Sequence, residues 1–256
     1  MQKSRYLETA IQAARAAEAV IRKYYLGEFE VELKADQSPV TVADVETEKT
    51  IRQIILDAFP DHGFFGEETG KVNADAEYNW LIDPIDGTKS FVRRYPFFST
   101  QIALMKGDEL IMGVSNAPVF GEMAYAEKGL GAYLNDAPIR VSDIGEIGKA
   151  TLSLGNIATV AGSKQWGRVG ELVRGVNRVR GYGDFYHYHL LASGRIDIVL
   201  ESDVNILDIA ALSVIVEEAG GKFTDLEGQP LNLATRSVLA CNSAAMHRQV
   251  FDAIQV

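Results

Sequence analysis

The sequence predicts a mixed α/β fold of the α+β type, with helices and sheets stacked in layers. Before residue 60, apolar residues recur at spacings of three and four, which indicates two amphipathic helices. Short apolar runs separated by turn residues then follow to residue 134, which indicates a series of strands. Beyond residue 145, strand and helix patterns alternate, which is typical of an α/β unit.

The first half begins with two helices and continues as a sheet. The first helix covers residues 7–24 and stops at Gly27, and the second begins at a capping box from Thr41 to Asp44 and ends before Pro60. The strand patterns cover residues 31–33, 63–65, 79–82, 100–106, 110–116, 123–126 and 132–134. Two helices against a large, mainly antiparallel sheet are therefore expected in this half.

The second half alternates strands with helices. Strands are predicted at 151–154, around Val179, at 196–200, from Phe223 and at 238–242, and helices at 168–175, 185–193, 209–219 and 250–254. We therefore expect two subdomains, residues 1–145 with most of the candidate metal ligands and residues 146–256 with the last ligand and the substrate-specificity residues. No low-complexity linker separates them, so tight packing of the two halves is expected.

The composition excludes several classes of protein. The chain has 256 residues, of which 47% are hydrophobic and 23% charged, as in ordinary globular proteins. Its formal charge of −10 disfavours a nucleic-acid partner. It has no apolar run of membrane-spanning length and no signal peptide at its N-terminus, so we expect no membrane partner and a cytoplasmic location. The single cysteine, Cys241, excludes an intrachain disulfide and is expected to be buried and inert.

The segment 81–88, with the sequence LIDPIDGT, is the most informative part of the chain. It places Asp83 and Asp86 after an apolar run that indicates the end of a buried strand. Two carboxylates held close together are unfavourable unless a cation lies between them, and hard oxygen ligands suit Mg²⁺. Gly87 and Thr88 then begin a predicted helix, whose N-terminal amides favour an anion. The segment predicts a metal site beside a phosphate site, as a phosphate ester hydrolase requires.

Three further segments contain acids that could join this site. Asp44 follows Thr41, Glu67 stands in the run 66–69, and Asp208 opens an apolar helix. Each has a simpler interpretation alone, as a charge at a helix start or in a solvated turn. Asp83 and Asp86 fit such an interpretation least, because the proline between them stiffens the chain and aims both acids one way. The joint occurrence of the four segments is more specific than any one of them.

With these motifs, the chain resembles the inositol monophosphatase family of Mg²⁺-dependent, lithium-sensitive phosphatases over nearly its whole length. The resemblance is carried by Lys34 and by the runs 66–68, 80–88 and 217–221. It implies a layered αβαβα sandwich of the inositol monophosphatase and fructose-bisphosphatase type, usually a homodimer. It also implies two or three Mg²⁺ ions in each active site and a small-molecule phosphate ester as substrate.

The resemblance also implies a role for each matching residue. One Mg²⁺ would be held by Glu67, Asp83 and the carbonyl of Ile85, a second by Asp83, Asp86 and Asp208, and a third, weaker ion near Glu67. Thr88 and Asp44 would position the attacking water, and the amides of Gly87 and Thr88 would bind the phosphate. Asp44, Thr88 and Glu67 are thus the expected catalytic residues. The expected mechanism is in-line attack by a metal-bound water, with the second ion stabilising the leaving oxygen.

The choice of ester is expected to depend on the second half. Glu201 matches a family acid that contacts substrate hydroxyls, and the stretch 180–186, together with 88–92 and Asn205, is similar to the histidinol-phosphatase branch. Asp184 and Glu201 could then pair with the ammonium group of histidinol phosphate, although Asp184 could instead only cap a helix.

Two alternatives stay open. One is an inositol 1-phosphate or sugar phosphatase, and the other is a family member with an additional regulatory binding role. His187 and His189 are two residues apart on a predicted helix and cannot share a face, so one is expected to be packed and the other exposed, with neither a metal ligand.

Overall fold

A computed structural model describes residues 3–27, 31–33 and 39–255, so Lys34 lies outside the described residues. The helices are α1 (Arg5–Leu26), α2 (Val42–Ala58), α3 (Thr88–Val92), α4 (Ala158–Ala161), α5 (Trp166–Gly175), α6 (Asp184–Ala192), α7 (Ile206–Glu218) and α8 (Ala244–Ile254). A single 3₁₀ turn covers Ile147–Lys149.

The strands of the first half are β1 (Val31–Leu33), β2 (Pro39–Thr41), β3 (Gly63–Gly66), β4 (Gly70–Val72), β5 (Tyr78–Asp86), β6 (Ser99–Lys106), β7 (Glu109–Ala117), β8 (Glu122–Glu127), β9 (Ala132–Leu134) and β10 (Ala137–Ile139). Those of the second half are β11 (Thr151–Leu154), β12 (Arg178–Arg180), β13 (Ile198–Ser202), β14 (Lys222–Thr224) and β15 (Ser237–Cys241). The sequence does not predict β2, β4 or β10, because each contains a proline or a glycine that indicates a turn, and it does not predict α4, because four residues are too few to show a helical period.

Most of the strands belong to two sheets. The large sheet has the order β10-β9-β8-β7-β6-β5-β3-β4, and only β3 and β5 pair in parallel. The small sheet has the order β12-β11-β13-β15-β14, with β11 parallel to both of its neighbours and β15 antiparallel to β13 and β14. β1 and β2 form a separate antiparallel pair.

The elements stack in five layers. α1 and α2 pack on one face of the large sheet, and α6 and α7 lie between its other face and the small sheet. α5 and α8 cover the far face of the small sheet. The layered αβαβα arrangement confirms the predicted fold class.

α1 and α2 form as local sequence requires. Ser4 caps α1 by accepting from the amide of Leu7, and Gly27 ends that helix. α2 begins with the expected capping box, in which the Asp44 carboxylate accepts from the amide of Thr41. Both helices bury their apolar faces over the fully buried Trp80 of β5. This layer fixes the starting point of α2, and with it Asp44.

The middle layer is the most apolar part of the chain. α7 is buried on nearly all sides because it packs against both sheets. It begins at residue 206, earlier than the predicted 209, because Asn205 caps it and Asp208 completes a second capping box. Since α6 and α7 share one core with both sheets, the proposed division at residue 145 stays a prediction.

Two expectations from composition can be compared with the structure. Cys241 is fully buried in β15, and burial raises the pKa of its thiol well above the ordinary value. The expected inert thiol agrees with this burial. Within the described residues, none of the helices combines the length and apolar character that a bilayer crossing needs.

We predict that Gly113→Ala separates α7 from the large sheet. A Cβ atom on Gly113 would lie 2.2 Å from the carbonyl oxygen of Ala211, so the helix has to move. The free energy of unfolding, measured by denaturant titration, should fall by about 1–3 kcal/mol, as for other overpacked sites.

The matched control is Gly170→Ala in α5, where a new Cβ atom meets nothing within 4 Å. This change should be neutral or stabilise by up to about 1 kcal/mol, because alanine favours a helix. Equal losses in the two variants would contradict close packing of α7 on β7.

Candidate active site

β5 runs through the acidic motif instead of ending before it. Pro84 and Ile85 stand opposite the single residue Thr100 of β6, so β5 has a bulge between Asp83 and Asp86. Side chains three residues apart on a regular strand point to opposite faces, and the extra residue returns both acids to one face. The prediction that the strand ends at residue 82 is wrong because a bulge can accommodate a proline, which does not donate to the ladder.

The bulge brings Asp83 and Asp86 together with Asp208 from the start of α7. One carboxylate oxygen of each lies within 4.8 Å of those of the other two. Burial, followed by repulsion from neighbouring acids, raises the pKa of Asp83 and of Asp86 well above the ordinary value. Burial likewise raises the pKa of Asp208 to about 7.

This cluster has the chemistry of a cation site. The Oδ1 atom of Asp83 is buried and has no hydrogen-bond partner among the described residues. A buried carboxylate oxygen without a donor is unfavourable, and so is repulsion among three buried acids. A hard divalent cation bound between the three side chains would relieve both, so the residues fit Mg²⁺.

A chain of hydrogen bonds connects Asp86 to polar residues of β6 and β7. The hydroxyl of Ser99 donates to Asp86 Oδ2 at 3.3 Å. Gln101 Nε2 donates to the hydroxyls of both Ser99 and Ser115, at 2.7 and 3.1 Å. All of these side chains are buried. The chain of donors fixes the orientation of the Asp86 carboxylate.

Asp44 reaches the same region from the start of α2. Its Oδ2 atom accepts from the amide and the hydroxyl of Thr41, both at 2.7 Å. Its Oδ1 atom lies 3.3 Å from the hydroxyl of Thr88, which also lies 3.0 Å from the carbonyl oxygen of Ile85. Burial raises the pKa of Asp44. The capping box therefore presents Oδ1 of Asp44 to Thr88.

Gly87 joins the bulge to α3. Its φ of +87° is left-handed, and a Cβ atom there would lie 2.6 Å from the carbonyl oxygen of Phe97. Only glycine fits this position. α3 begins at Thr88, so its first amides have no partner within the helix.

Glu67 is placed by a buried acid that the sequence does not single out. The carboxylate of Glu48 accepts from the amides of Glu68 and Thr69, each at 2.8 Å. Glu67 lies outside the group of three close carboxylates, but its charge contributes to the raised pKa of both Asp83 and Asp208. Glu48 lies one turn after Asp44 on α2, and this spacing is the signal that could have identified it.

The predicted substrate residues lie on the other side of the cluster. Asp184 is the first residue of α6 and has a left-handed φ of +44°. Burial, followed by the charge of Glu201, raises the pKa of Asp184 to about 6. The charges of both acids contribute to the raised pKa of Asp86. The N-cap position of α6 is occupied by Gly183, and Asp184 is the acid of the first turn, so Asp184 is not the cap residue itself.

Two polar contacts limit the other predicted roles. The side-chain oxygen of Asn205 accepts from the amide of Leu207 as the cap of α7. The carbonyl oxygen of Ile85 lies 3.0 Å from the hydroxyl of Thr88 and keeps at least one lone pair for a cation. The roles of these residues toward substrate and metal stay predictions.

The prediction that one of His187 and His189 is exposed is wrong, because both are buried. α6 lies between the two sheets, and neither side of it faces water. His187 contacts Glu201, whereas His189 contacts Glu122 and Ser115.

The crowded acids predict an unusual pH dependence for the metal-free protein. An acid whose pKa is raised on folding keeps its proton where the unfolded chain has lost it, so its contribution to stability falls as pH rises. For Asp208 this window runs from about 4 to about 7. Relative to wild type, metal-free Asp208→Asn should gain up to a few kcal/mol of unfolding free energy between about pH 5 and pH 8.

Comparing wild type with this variant isolates the effect, since both proteins carry His189 and His247. Burial lowers the pKa values of these two histidines, which changes stability with pH in the opposite direction. Denaturant titrations with a chelator give the difference directly. A constant difference across this pH range would contradict the repulsion described here. Saturating Mg²⁺ should reduce the pH dependence of the unfolding free energy in wild type.

Comparison with known proteins agrees with this geometry. The model of the inositol monophosphatase family matches residues 2–255. A histidinol-phosphatase of Chlorobaculum parvum is 36% identical, covering 97% of this chain and 96% of its own. One of Mycobacterium tuberculosis is 37% identical, with 84% and 85% covered. The structure of an inositol monophosphatase from Anabaena superposes with a TM-score of 0.83 at 33% identity, covering 97% and 94%. The chain belongs to the inositol monophosphatase family.

Proposed function

We propose that this protein is a Mg²⁺-dependent phosphomonoesterase that uses water to hydrolyse a small-molecule phosphate ester. One observation carries the proposal: three largely buried carboxylates converge within 4.8 Å, and one of them, Asp86, directly precedes the glycine that opens α3. A structural role does not account for such a cluster, because like charges in a buried place destabilise the fold. Membership of a phosphatase family supports the same conclusion.

Five residues form the proposed metal ligand set. Glu67, Asp83 and the Ile85 carbonyl would hold one ion, and Asp83, Asp86 and Asp208 would hold a second, with a third, weaker ion near Glu67. Bound Mg²⁺ supplies Lewis acidity, which makes water a better nucleophile and stabilises the charge of the leaving oxygen. Asp83 belongs to both sets, in agreement with its unpartnered buried Oδ1 atom.

Thr88 and Asp44 handle the proton of the attacking water. Oδ2 of Asp44 is occupied by the two donors of Thr41, so Oδ1 is the atom that can take a proton. The Thr88 hydroxyl can pass its own proton to Oδ1 while accepting one from water. The raised pKa of Asp44 makes it a stronger base than an ordinary aspartate.

The phosphate binds at the start of α3 in this proposal. The amides of Gly87 and Thr88 donate to its oxygens, and the absence of a side chain at Gly87 allows the close approach. The ester is thereby oriented with its phosphorus next to the carboxylate cluster.

Histidinol phosphate is the proposed substrate, which would place the enzyme in histidine biosynthesis. It carries an ammonium group beside its ester, and Asp184 and Glu201 provide two negative charges next to the metal site. Two acids placed for an ammonium group discriminate against neutral esters, which leave these charges without a cation. The two similar histidinol-phosphatases support this choice. Asn205 is proposed to contact the same substrate.

Inositol 1-phosphate is the second candidate. The carboxylate cluster and α3 suit any small phosphate ester, and the similar Anabaena protein is named an inositol monophosphatase. Homodimer formation and lithium inhibition are proposed on family membership alone. An additional regulatory binding role is a further alternative, which a pull-down with and without Mg²⁺ would reveal.

Asp83→Asn tests the metal assignment. Because Asp83 is shared by both proposed ligand sets, its loss should lower Mg²⁺-dependent phosphate release by more than about 100-fold, which exceeds typical losses for residues behind the ligands. The variant should stay folded, since it removes buried negative charge. A folded variant with near-normal activity would contradict the scheme.

The choice of ester is tested by comparing phosphate release from histidinol phosphate, inositol 1-phosphate and fructose 1,6-bisphosphate with Mg²⁺. Histidinol phosphate should have the highest kcat/KM, and Asp184→Asn should lower that value about tenfold or more, as expected for a lost contact to a charged group. Slow turnover of histidinol phosphate beside fast turnover of inositol 1-phosphate would overturn the preferred substrate.

A further inference from the structure

His187 is the centre of a buried hydrogen-bond network behind the proposed substrate acids. Its Nε2 atom lies 3.1 Å from Glu201 Oε2, and its Nδ1 atom lies 3.3 Å from the hydroxyl of Ser153. The imidazole and the hydroxyl are fully buried. The hydroxyl of Tyr188, next along α6, donates to the same Glu201 oxygen at 2.7 Å.

The network determines which nitrogen of His187 carries the proton. The Ser153 hydroxyl accepts from the amide of Tyr182 at 3.3 Å, so its own proton can point to Nδ1 of His187. The proton on Nε2 then donates to Glu201. The imidazole thus links the backbone at the start of α6 to the Glu201 carboxylate on β13.

Both oxygens of the Glu201 carboxylate accept hydrogen bonds from described residues. Oε2 accepts hydrogen bonds from Nε2 of His187 and the hydroxyl of Tyr188, and Oε1 accepts one from the amide of Asn156 at 3.2 Å. A Cβ atom on Gly155 would lie 2.0 Å from Oε1, so only glycine allows the carboxylate to rest against this backbone. Oε1 keeps one lone pair for a ligand.

Asp184 provides the contrast. Among the described residues its side chain has no hydrogen-bond or ion-pair partner, and burial, followed by the charge of Glu201, raises its pKa to about 6. Burial alone would raise the pKa of Glu201, but the interaction with His187, followed by the hydrogen bonds of Tyr188 and Asn156, lowers it instead. One acid of the pair is therefore fixed, and the other has no cationic partner among the described residues.

We propose that His187 is a positioning residue for substrate selection, which holds Glu201 so that Glu201 and Asp184 form a rigid site for the ammonium group of an amino-bearing phosphate ester. This inference rests on the proposed phosphatase function and deepens it. It names the substrate class and assigns the selectivity to a residue that does not touch the substrate. A fixed anion loses less conformational entropy on binding than a mobile one.

The competing interpretation is a buried histidine that only supports the core. That role would affect stability, and it would affect the turnover of every ester to the same extent. A positioning role would instead raise KM mainly for the ammonium ester, because only a cationic group pairs with the charges of both acids. The ratio of kcat/KM for the two esters separates the interpretations.

The experiment compares wild type with His187→Leu, His187→Gln and Tyr188→Phe on histidinol phosphate and on glycerol 2-phosphate, a neutral-tail ester. His187→Leu and Tyr188→Phe should each raise KM for histidinol phosphate about tenfold or more, the loss expected for a hydrogen bond to a charged group. kcat/KM for glycerol 2-phosphate should change less than about threefold. His187→Gln keeps an amide donor and should retain most of the selectivity.

The matched control is His247→Leu, which removes another buried histidine, bonded to Thr224 and not to Glu201. This variant should leave the ratio of kcat/KM for the two esters unchanged. An unchanged ratio in His187→Leu, or equal losses on both esters, would overturn the inference. Should His187→Leu not fold, Tyr188→Phe decides, because it removes a single hydroxyl from the same carboxylate. If the wild type does not prefer histidinol phosphate, the proposed substrate is refuted. If the wild type prefers it and both substitutions leave that preference unchanged, the inference about His187 is refuted and the proposed substrate is not.

Discussion

Repulsion among carboxylates is the constraint on which the site depends. Asp83, Asp86 and Asp208 converge within 4.8 Å in a largely buried place, and Asp184 and Glu201 add charge to one side. Burial, followed by this repulsion, raises the pKa values of the three close acids, so without cations the cluster favours taking up protons. The acids that would bind cations therefore lower the stability of the metal-free fold around them.

The fold holds the acids in place with ordinary backbone devices. A bulge in β5 turns Asp83 and Asp86 to one face. Capping boxes fix the positions of Asp44 and Asp208, each the third residue of its helix. In each box, one carboxylate oxygen accepts a hydrogen bond from the amide of the cap residue, and the other oxygen stays available. The large apolar α7 fixes the last of these against both sheets. In the proposed function, helix capping uses one oxygen of each side chain, and proton transfer by Asp44 or metal binding by Asp208 would use the other.

Local pattern predicted the layers, most strands and helices, and the residues that form the carboxylate cluster. Residues that support the site from a neighbouring element could not be predicted this way. Ser99 contacts Asp86 because β6 pairs with β5, Gln101 in turn contacts Ser99, and Glu48 holds a loop twenty residues away in sequence. The prediction that one of His187 and His189 is exposed was wrong because helical periodicity reports two faces, whereas α6 is enclosed between two sheets. Spacing along the chain carries no information about such packing.

Diffraction from crystals grown with Mn²⁺ in place of Mg²⁺ tests the central claim most directly, since Mn²⁺ shares the preference for oxygen ligands and scatters anomalously. The account predicts at least two anomalous peaks, one in contact with Asp83, Asp86 and Asp208 and another with Asp83 and Glu67. At saturating Mn²⁺, the absence of any peak within bonding distance of Asp83 would contradict it.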